Sequence, residues 1–249
     1  MSLKLKPHEK DAARFFADTK DLYETISKQF NYSRGKNPWK PLVRFCEKLG
    51  KHVPKNTHGG ILIDVGCGNC RNMLFLKENF GFFQAVGIDF TSNLLIHAKD
   101  NIEGSYLGIN LVQASMSQLP FRNDSADFIS SIAAFNHLPS KSSMKHVLAN
   151  FNEVLDRKTG FLLLTSWRKW QEKFRKQVIS NYLNLRSPPG LVLVPWKRGK
   201  HKKPLLREYH LLSKGEITKL VRNFFSILEY QALGGSGGKD NHFIIARLN

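Results

Sequence analysis

Two acids and two glycines form the most informative pattern in this chain. Residues 61–68 read Ile-Leu-Ile-Asp-Val-Gly-Cys-Gly, and Asp89 closes a second apolar run 25 positions after Asp64. The glycines allow the backbone to approach a ligand closely, and a carboxylate after the second strand can bind ribose hydroxyls. The pattern predicts a nucleotide-type site at the carboxyl ends of parallel strands, where open α/β sheets bind their ligands.

The glycine loop, residues 66–70, helps to distinguish two classes of nucleotide. Arg71 stands where the Gly-x-Gly-x-x-Gly motif of dinucleotide sites has its third glycine. An acid before the turn and an acid after the next strand fit S-adenosylmethionine (SAM) better than a dinucleotide. We therefore expect Asp64 to lie near the methionine amino group and Asp89 near the ribose.

Cys67 and Cys70 leave an alternative open for the same loop. A Cys-x-x-Cys pair at a strand-to-helix turn is also typical of thioredoxin-like redox sites. Zinc would need further ligands, and the third cysteine of the chain, Cys46, is isolated in the sequence. Because the acids and glycines already account for the loop, we interpret both cysteines as small turn residues.

Alternating strands and helices would position these residues. We predict a helical segment in the first 36 residues and a second helix from Trp39 to about residue 51, and we expect Thr91 or Ser92 to cap the fourth helix. The glycine-rich run 234–238 favours a hairpin between the last two strands. The predicted strands are 60–65, 83–89, 109–114, 126–133, 160–166, 225–233 and 242–248, and the other predicted helices are 71–79, 92–101, 142–155 and 214–223.

The stretch from Leu119 to Asp127 reads Leu-Pro-Phe-Arg-Asn-Asp-Ser-Ala-Asp and resembles a signature of the class I methyltransferases. The resemblance implies an α/β, Rossmann-like fold with a seven-stranded, mostly parallel sheet and a closing antiparallel hairpin. SAM is the implied cofactor, and its adenine would contact Ser115, Met116 and Phe90, because no acid follows the third strand. The implied cofactor-binding residues are Asp64, Gly66, Cys67, Gly68, Asp89, Phe90, Ser115, Met116 and Ala133.

The net charge of +18 is distributed unevenly along the chain. Residues 1–58 carry 13 Lys or Arg and 6 acids, residues 59–166 carry 8 and 9, and residues 167–207 carry 12 and 1. This clustering favours a nucleic-acid partner over a generic basic surface, since each contacted phosphate releases counterions. We interpret residues 1–58 as a helical extension and residues 59–249 as the methyltransferase domain, with a basic insertion at 167–207.

Aromatic residues alternate with cations in this insertion, from Trp167 through Trp170 and Phe174 to Trp196. Such side chains can stack on unpaired RNA bases while the cations contact phosphates. The Pro-Pro-Gly run at 188–190 and the basic cluster 197–203 suggest a mobile lid that RNA would order. The alternative is that the tryptophans belong to the core and that the lysines are solvated.

The composition excludes several classes of protein. Three cysteines indicate a reducing compartment without a disulfide framework, and no apolar run reaches the roughly 18 residues that span a bilayer. We therefore expect a protein without a membrane association. The expected location is the cytoplasm, with the nucleus as an additional one.

Further stretches resemble the eukaryotic tRNA wobble-uridine carboxymethyl methyltransferases. Members of that family esterify the carboxylate of 5-carboxymethyluridine at the tRNA wobble position and work with a small zinc-binding activator subunit. The resemblance therefore implies a tRNA anticodon stem-loop and such a subunit, in a heterodimer, as partners. The stretches that carry it are Gln29–Arg34, Pro38–Trp39, Ser130–His137, Val194–Trp196, Arg207–His210 and Gly238–Asn241.

This chemistry needs groups that hold a carboxylate. Arg34 and Arg207 are the predicted clamp, because guanidinium groups suit planar carboxylates. We expect His137, Tyr209 and His210 to shape the pocket or to meet the ribose and phosphate.

Other interpretations remain open. The chain could methylate another substrate, such as a small acid, or it could be a non-catalytic RNA-binding homologue. Asn136, where the family usually has a histidine, and Ser115 give the second alternative some support. We also expect the third strand to lie at the edge of the sheet, where the activator could add a strand.

Overall fold

The computed structural model describes residues 7–49, 52–53, 60–103, 108–184, 188, 190–197 and 205–249, with side chains from residue 15 onward except that of residue 184. Within these residues no helix is long and apolar enough to cross a membrane. The helices are α1 (Pro7–Arg34), α2 (Lys40–Leu49), α3 (Arg71–Phe80), α4 (Ser92–Ile102), α5 (Lys141–Val154), α6 (Arg175–Asn184) and α7 (Lys214–Arg222). The strands are β1 (Ile61–Val65), β2 (Gln84–Asp89), β3 (Ile109–Gln113), β4 (Phe128–Ile132), β5 (Phe161–Trp167), β6 (Leu191–Pro195), β7 (Leu206–His210), β8 (Phe225–Leu233) and β9 (Asn241–Leu248).

The main sheet has seven strands in the order β3-β2-β1-β4-β5-β9-β8. Its first five strands are parallel, β9 runs antiparallel to β5, and β8 and β9 form the closing hairpin. The predicted class I methyltransferase fold is therefore confirmed. Asp64 is in register with Ser130 of β4, and Asp89 ends the neighbouring strand β2. The two acids consequently lie at the same edge of the sheet.

Both faces of the sheet are covered by helices, so the parallel strands are almost continuously apolar. Successive residues of β1 enter opposite cores: Leu62 packs in the cluster that contains α2 and α3, and Ile63 packs in the cluster that contains α5 and α7. Each of the two side chains is no more than 1% exposed. These two cores hold the strand ends in fixed positions, which a preorganised site requires.

The basic insertion contains structure that the sequence patterns did not predict. β6 and β7 form a separate antiparallel sheet, and α6 packs beside it. These elements are stabilised by a small core that forms only through tertiary packing, so the sequence contains no long periodic run that predicts them. The buried members of this core are Phe174, Val178, Val192, Tyr209 and Leu211.

The aromatic residues of the insertion divide into two groups. Phe174 and Trp196 are buried, so for these two the prediction of base stacking is wrong and the alternative of core packing is right. Trp170 is 53% exposed and remains a candidate for stacking. The predicted lid lies largely outside the described residues, because 185–187, 189 and 198–204 are not among them.

The N-terminus of α4 is capped from a distant part of the chain. Thr91 occupies the cap position, but its hydroxyl accepts no hydrogen bond from the helix, which corrects the expected cap. The carboxylate of Glu24, on α1, instead accepts hydrogen bonds from the backbone N–H groups of Ser92 (2.8 Å) and Asn93 (2.9 Å) and from the Ser92 hydroxyl (2.9 Å). A carboxylate is favoured at a helix N-terminus by the unsatisfied N–H groups and the helix dipole. Glu24 therefore fixes α1 to the sheet domain.

Replacement of Glu24 by alanine should lower the free energy of unfolding by about 1–2 kcal/mol, because two backbone donors at the start of α4 lose their acceptor. Urea unfolding followed by circular dichroism measures the change. Asp21→Ala removes an exposed carboxylate from the same helix and should cost less than about 0.5 kcal/mol. Equal losses in the two variants would contradict the capping role.

Candidate active site

A cavity of about 310 Å³ lies at the carboxyl ends of the parallel strands. Its wall includes residues from α1, from the loops after β1, β2, β3 and β4, and from the basic insertion. Twelve of the fourteen predicted site residues line it, namely Arg34, Asp64, Gly66, Cys67, Gly68, Asp89, Phe90, Ser115, Met116, Ala133, His137 and Tyr209.

The loop after β1 has the shape that its glycines allow. Gly66 has a φ of 78°, and a Cβ atom there would lie 2.4 Å from the Cβ of Ala134, which no side chain could tolerate. Gly68 has a φ of 56°, and its N–H donates to the Asp89 carboxylate at 3.0 Å. The glycines therefore bring the loop against both the β4 turn and the end of β2, where it forms the floor of the cavity.

Asp64 and Asp89 are almost completely buried, at 2% and 6% exposure. Asp64 accepts a hydrogen bond from the Ser130 hydroxyl at 2.5 Å, and Asp89 accepts one from the Thr91 N–H at 3.0 Å in addition to that from the loop. Burial raises the pKa of Asp64 to about 7, against the lowering effect of Ser130, and burial also raises the pKa of Asp89. The free site thus holds two carboxyl groups whose charge is poorly compensated.

These carboxyl groups fit a cationic nucleoside. Among the described residues, neither forms an ion pair with Lys or Arg. A sulfonium and an ammonium group would supply the missing positive charge, and the carboxylate oxygens of Asp89 retain lone pairs for ribose hydroxyls. Phe90, Ser115 and Met116 lie along the same cavity, where an adenine could contact them. The residues present therefore fit SAM, with Asp64 and Asp89 as the groups that would hold it.

Helix α1 closes the cavity over the glycine loop. A Cβ atom at Gly68 would lie 3.5 Å from the Phe30 ring, so the ring faces the glycine loop, and Asn31 Oδ1 accepts a hydrogen bond from Asn69 Nδ2 at 2.8 Å. Arg71 donates to the backbone carbonyl of Arg34 at 2.8 Å. Arg71 thus stands in place of the third glycine of a dinucleotide motif because its guanidinium anchors the end of α1.

A cluster of Tyr23, His137 and Tyr209 lies beside the cavity floor. The Tyr23 hydroxyl shares hydrogen bonds with His137 Nε2 (3.0 Å) and with the Tyr209 hydroxyl (3.4 Å). Burial lowers the pKa of His137 to about 3, with a further contribution from the Arg207 guanidinium, and burial raises the pKa of Tyr23 well above its usual value. Tyr23 and His137 are therefore neutral at physiological pH, and the cluster is suited to orienting a substrate.

The two predicted clamp arginines have different positions. Arg34 lines the cavity, with its guanidinium 5.0 Å from the centroid of the Phe30 ring. Arg207 instead lines a smaller adjoining cavity of about 50 Å³, and its guanidinium lies 5.0 Å from the ring centroid of Trp196 and 5.4 Å from that of Tyr209. Direct contact between Arg207 and a substrate in the main cavity is not supported by this position.

His210 is the other predicted residue that does not line the cavity. Its side chain is buried, and its Nδ1 is 3.3 Å from the carbonyl oxygen of Pro139. Because burial lowers its pKa, we interpret the imidazole as a neutral link between β7 and the β4–α5 loop. The expected role at the ribose or phosphate is not supported by this position.

Several residues of the cavity wall escaped sequence reasoning. Tyr23 could have been found from its spacing, since it lies seven and eleven positions before Phe30 and Arg34 and therefore on the same helical face. Gln171 and Lys173 come from the insertion, and Asp240 comes from the β8–β9 loop. No spacing rule connects these three distant residues to the glycine loop.

The two cysteines of the loop are poor candidates for redox catalysis. Cys67 and Cys70 are both buried, at 8% and 0% exposure. A hydrogen bond that the Cys67 thiol donates to Cys70, together with burial, raises the pKa of Cys67 well above its usual value, so the reactive thiolate is disfavoured. Among the described residues, no group of His, Cys, Asp and Glu is arranged to hold a metal ion.

The affinity for SAM should fall as the pH falls through about 7, because the cationic ligand binds the ionised form of Asp64 and protonation then competes with it. Calorimetric titrations between about pH 8 and about pH 5.5 measure the effect. S-adenosylhomocysteine, which keeps the ammonium group expected next to Asp64, should show a similar dependence. Asp64→Asn should bind SAM weakly with little dependence on pH, and a pH-independent affinity in the unmodified protein would contradict the assignment.

Comparisons with known proteins agree with this geometry. A family described as a methyltransferase domain matches residues 62–158. The tRNA (carboxymethyluridine(34)-5-O)-methyltransferase of Schizosaccharomyces pombe is 29% identical over 92% of this chain and 95% of its own length. The proteins of the same name from Saccharomyces cerevisiae and Arabidopsis thaliana are 30% and 27% identical over 62% and 61% of this chain. The chain spans only 50% and 33% of the length of these two relatives.

Solved structures share the fold. A SAM-dependent methyltransferase from Methanosarcina mazei superposes with a TM-score of 0.66 at 18% identity, over 85% of this chain and 99% of that one. A methyltransferase from Haloferax volcanii, solved in complex with the Trm112 methyltransferase activator, has a TM-score of 0.65 at 12% identity, over 92% and 97% of the two chains. The fold and the matching domain together show that this chain has the class I SAM-dependent methyltransferase fold and contains a methyltransferase domain, and the eukaryotic relatives that it resembles are named tRNA carboxymethyluridine methyltransferases.

Proposed function

We propose that this protein transfers a methyl group from SAM to the carboxylate of 5-carboxymethyluridine at the tRNA wobble position. One observation carries the proposal: a single cavity combines two buried acids, suited to a cationic cofactor, with the cations Arg34 and Lys173 and several aromatic rings, suited to an anionic base. The S. pombe relative, whose name states this activity, matches almost the whole chain.

The electrostatics of the site suit a reaction that needs no general base. When bound, SAM supplies the methyl group, to which a carboxylate oxygen bonds as the methyl–sulfur bond breaks and leaves its electron pair on sulfur. A carboxylate is already anionic, so no proton has to be removed. His137, with a pKa of about 3, would be a weak base, and its hydrogen bond to Tyr23 holds it in place. Alignment and exclusion of water are then the main contributions of the protein.

The surface of the insertion supports an RNA partner. Arg175 and Lys176 are exposed on α6, which also carries the exposed ring of Tyr182, and the ring of Trp170 is exposed as well. These two rings are stacked with their centroids 6.1 Å apart and their planes within 6°. An exposed, ordered aromatic pair beside cations is suited to unpaired bases and their phosphates, as an anticodon loop presents them.

We propose that an activator subunit binds at the β3 edge of the sheet. Within the described residues β3 pairs only with β2, so its outer edge can accept a further strand. Phe83, immediately before β2, is 66% exposed, and Ile96, on α4, is 58% exposed. Large apolar side chains beside an unpaired edge are typical of a covered surface. The Haloferax volcanii neighbour was solved with such an activator.

Purified protein, combined with a zinc-binding activator and SAM, should convert carboxymethyluridine to its methyl ester in tRNA from cells that lack this protein. Nucleoside analysis by mass spectrometry measures the conversion. A tRNA without the carboxymethyl group should not be methylated. Methylation of a free small acid would contradict the proposal and favour a methyltransferase with another substrate. SAM binding without any methyl transfer would contradict it too and favour a non-catalytic homologue.

Substitution of Phe83 and Ile96 together by lysine should abolish co-purification with the activator, because two buried charges would oppose docking. The affinity for SAM should stay within about twofold of the unmodified protein, since neither side chain lines the cavity. Ile179→Lys, at an exposed apolar position on α6, is the control and should keep the complex. Retention of the complex by the double variant would place the activator elsewhere.

A further inference from the structure

One part of the cavity wall comes from the segment that joins β5 to α6. Trp167, Gln171 and Lys173 of this segment all line the cavity. The segment contains a short 3-10 turn, Glu172–Phe174, whose Phe174 is buried in the small core of the insertion. The packing of Phe174 therefore fixes the two polar residues relative to the cavity.

Lys173 carries a positive charge that forms no ion pair within the described residues. Its Nζ lies 4.3 Å from the centroid of the Trp167 ring and 4.7 Å from that of Phe174. Aromatic faces orient an ammonium group without neutralising it. The residue is exposed, and partial burial of its ammonium group lowers its pKa, so an anion beside it would be stabilising.

Two other charged groups act on Lys173. The negative charge of Asp240 raises the pKa of Lys173, whereas the positive charge of Arg207 lowers it. The Asp240 carboxylate accepts hydrogen bonds from the Gly237 N–H at 3.1 Å and the Ser236 hydroxyl at 3.4 Å, so it is held by its own loop. Lys173 is thus left with an ammonium group free to bind a ligand.

Gln171 offers an unpaired acceptor in the same wall. The residue is 3% exposed, and its Nε2 donates to the backbone carbonyl of Arg168 at 3.0 Å. That hydrogen bond fixes the orientation of the amide, because the carbonyl can only accept. Oε1 is left buried without a partner, which is costly unless a ligand provides a donor.

We propose that the Trp167–Phe174 segment is the acceptor subsite, in which Lys173 binds the carboxylate of the methyl acceptor and Gln171 Oε1 accepts a hydrogen bond from a base N–H. This inference rests on the proposed function and replaces Arg207 by Lys173 as a partner of Arg34. The imide N3–H of uracil is such a donor, whereas N3 of cytosine carries no proton, so Gln171 would favour uracil if its Oε1 faces N3.

The subsite would bind the substrate more tightly than the product, which favours product release. The substrate is an anion and the product is a neutral ester, so only the substrate gains the charge-assisted contact with Lys173. Binding at Lys173 therefore distinguishes the unmethylated nucleoside from the methylated one.

The test compares two anticodon stem-loops, one with carboxymethyluridine and one with the corresponding carboxamide. Binding is measured with S-adenosylhomocysteine present, so that no transfer occurs. The unmodified protein, with its activator, should prefer the acid by about tenfold, and Lys173→Met should lose most of this preference, because only Arg34 is left to bind the carboxylate. Lys219→Met removes an exposed lysine from α7, outside the cavity, and should keep the preference.

The outcomes separate the two proposals. If the unmodified protein does not prefer the acid, the proposed function itself fails. If the unmodified protein prefers the acid and Lys173→Met prefers it equally, the proposed subsite is wrong. If only Arg207→Met loses the preference, Arg207 and not Lys173 binds the carboxylate. S-adenosylhomocysteine affinity near that of the unmodified protein shows that a variant is folded.

Gln171 is tested with a stem-loop whose uracil is methylated at N3, which removes the N–H. Methylation should weaken binding to the unmodified protein by about tenfold and binding to Gln171→Leu by much less, since the contact is already absent. An equal loss in both proteins would remove Gln171 from base recognition.

Discussion

Burial of two carboxyl groups at neighbouring strand ends is the constraint on which the rest of this structure depends. Asp64 and Asp89 are shielded from water, and no described lysine or arginine forms an ion pair with either. Such groups are costly in the free protein, and the raised pKa of Asp64, about 7, expresses that cost. A ligand with positive charge offsets it. The glycine loop, the hydrogen bonds of Asp89 and the two packed cores all serve to keep these carboxyl groups in place.

Helix α1 supplies the second half of the site. One helix caps α4 through Glu24, contacts the glycine loop through Phe30 and Asn31, and brings Tyr23 to His137. The cavity therefore has an acidic part from the sheet and a part with Arg34 and neutral aromatic groups from the helix. This separation of charge matches a reaction between a sulfonium and a carboxylate, in which opposite charges meet and are both lost.

The sequence was sufficient for the sheet and for most of the cofactor site, and the reason is local. Strands buried on both faces give continuous apolar runs, and the glycine loop and its two acids follow directly from those runs. The features that the sequence did not predict depend on contacts between residues far apart in the chain. Glu24 caps a helix 68 positions away, and β6 and β7 are stabilised by a small core to which Phe174 and Val178 contribute. Gln171 and Lys173 reach the cavity only because that core positions their turn.

Asp64 and Asp89 are expected to hold opposite ends of one cationic nucleoside, and a crystal structure of the protein with SAM bound would show this. We expect ribose hydroxyls within hydrogen-bond distance of the Asp89 carboxylate and the methionine amino end of the ligand next to Asp64, with Phe30 above the glycine loop. A ligand bound elsewhere, or bound in this cavity without contact to either carboxylate, would contradict it.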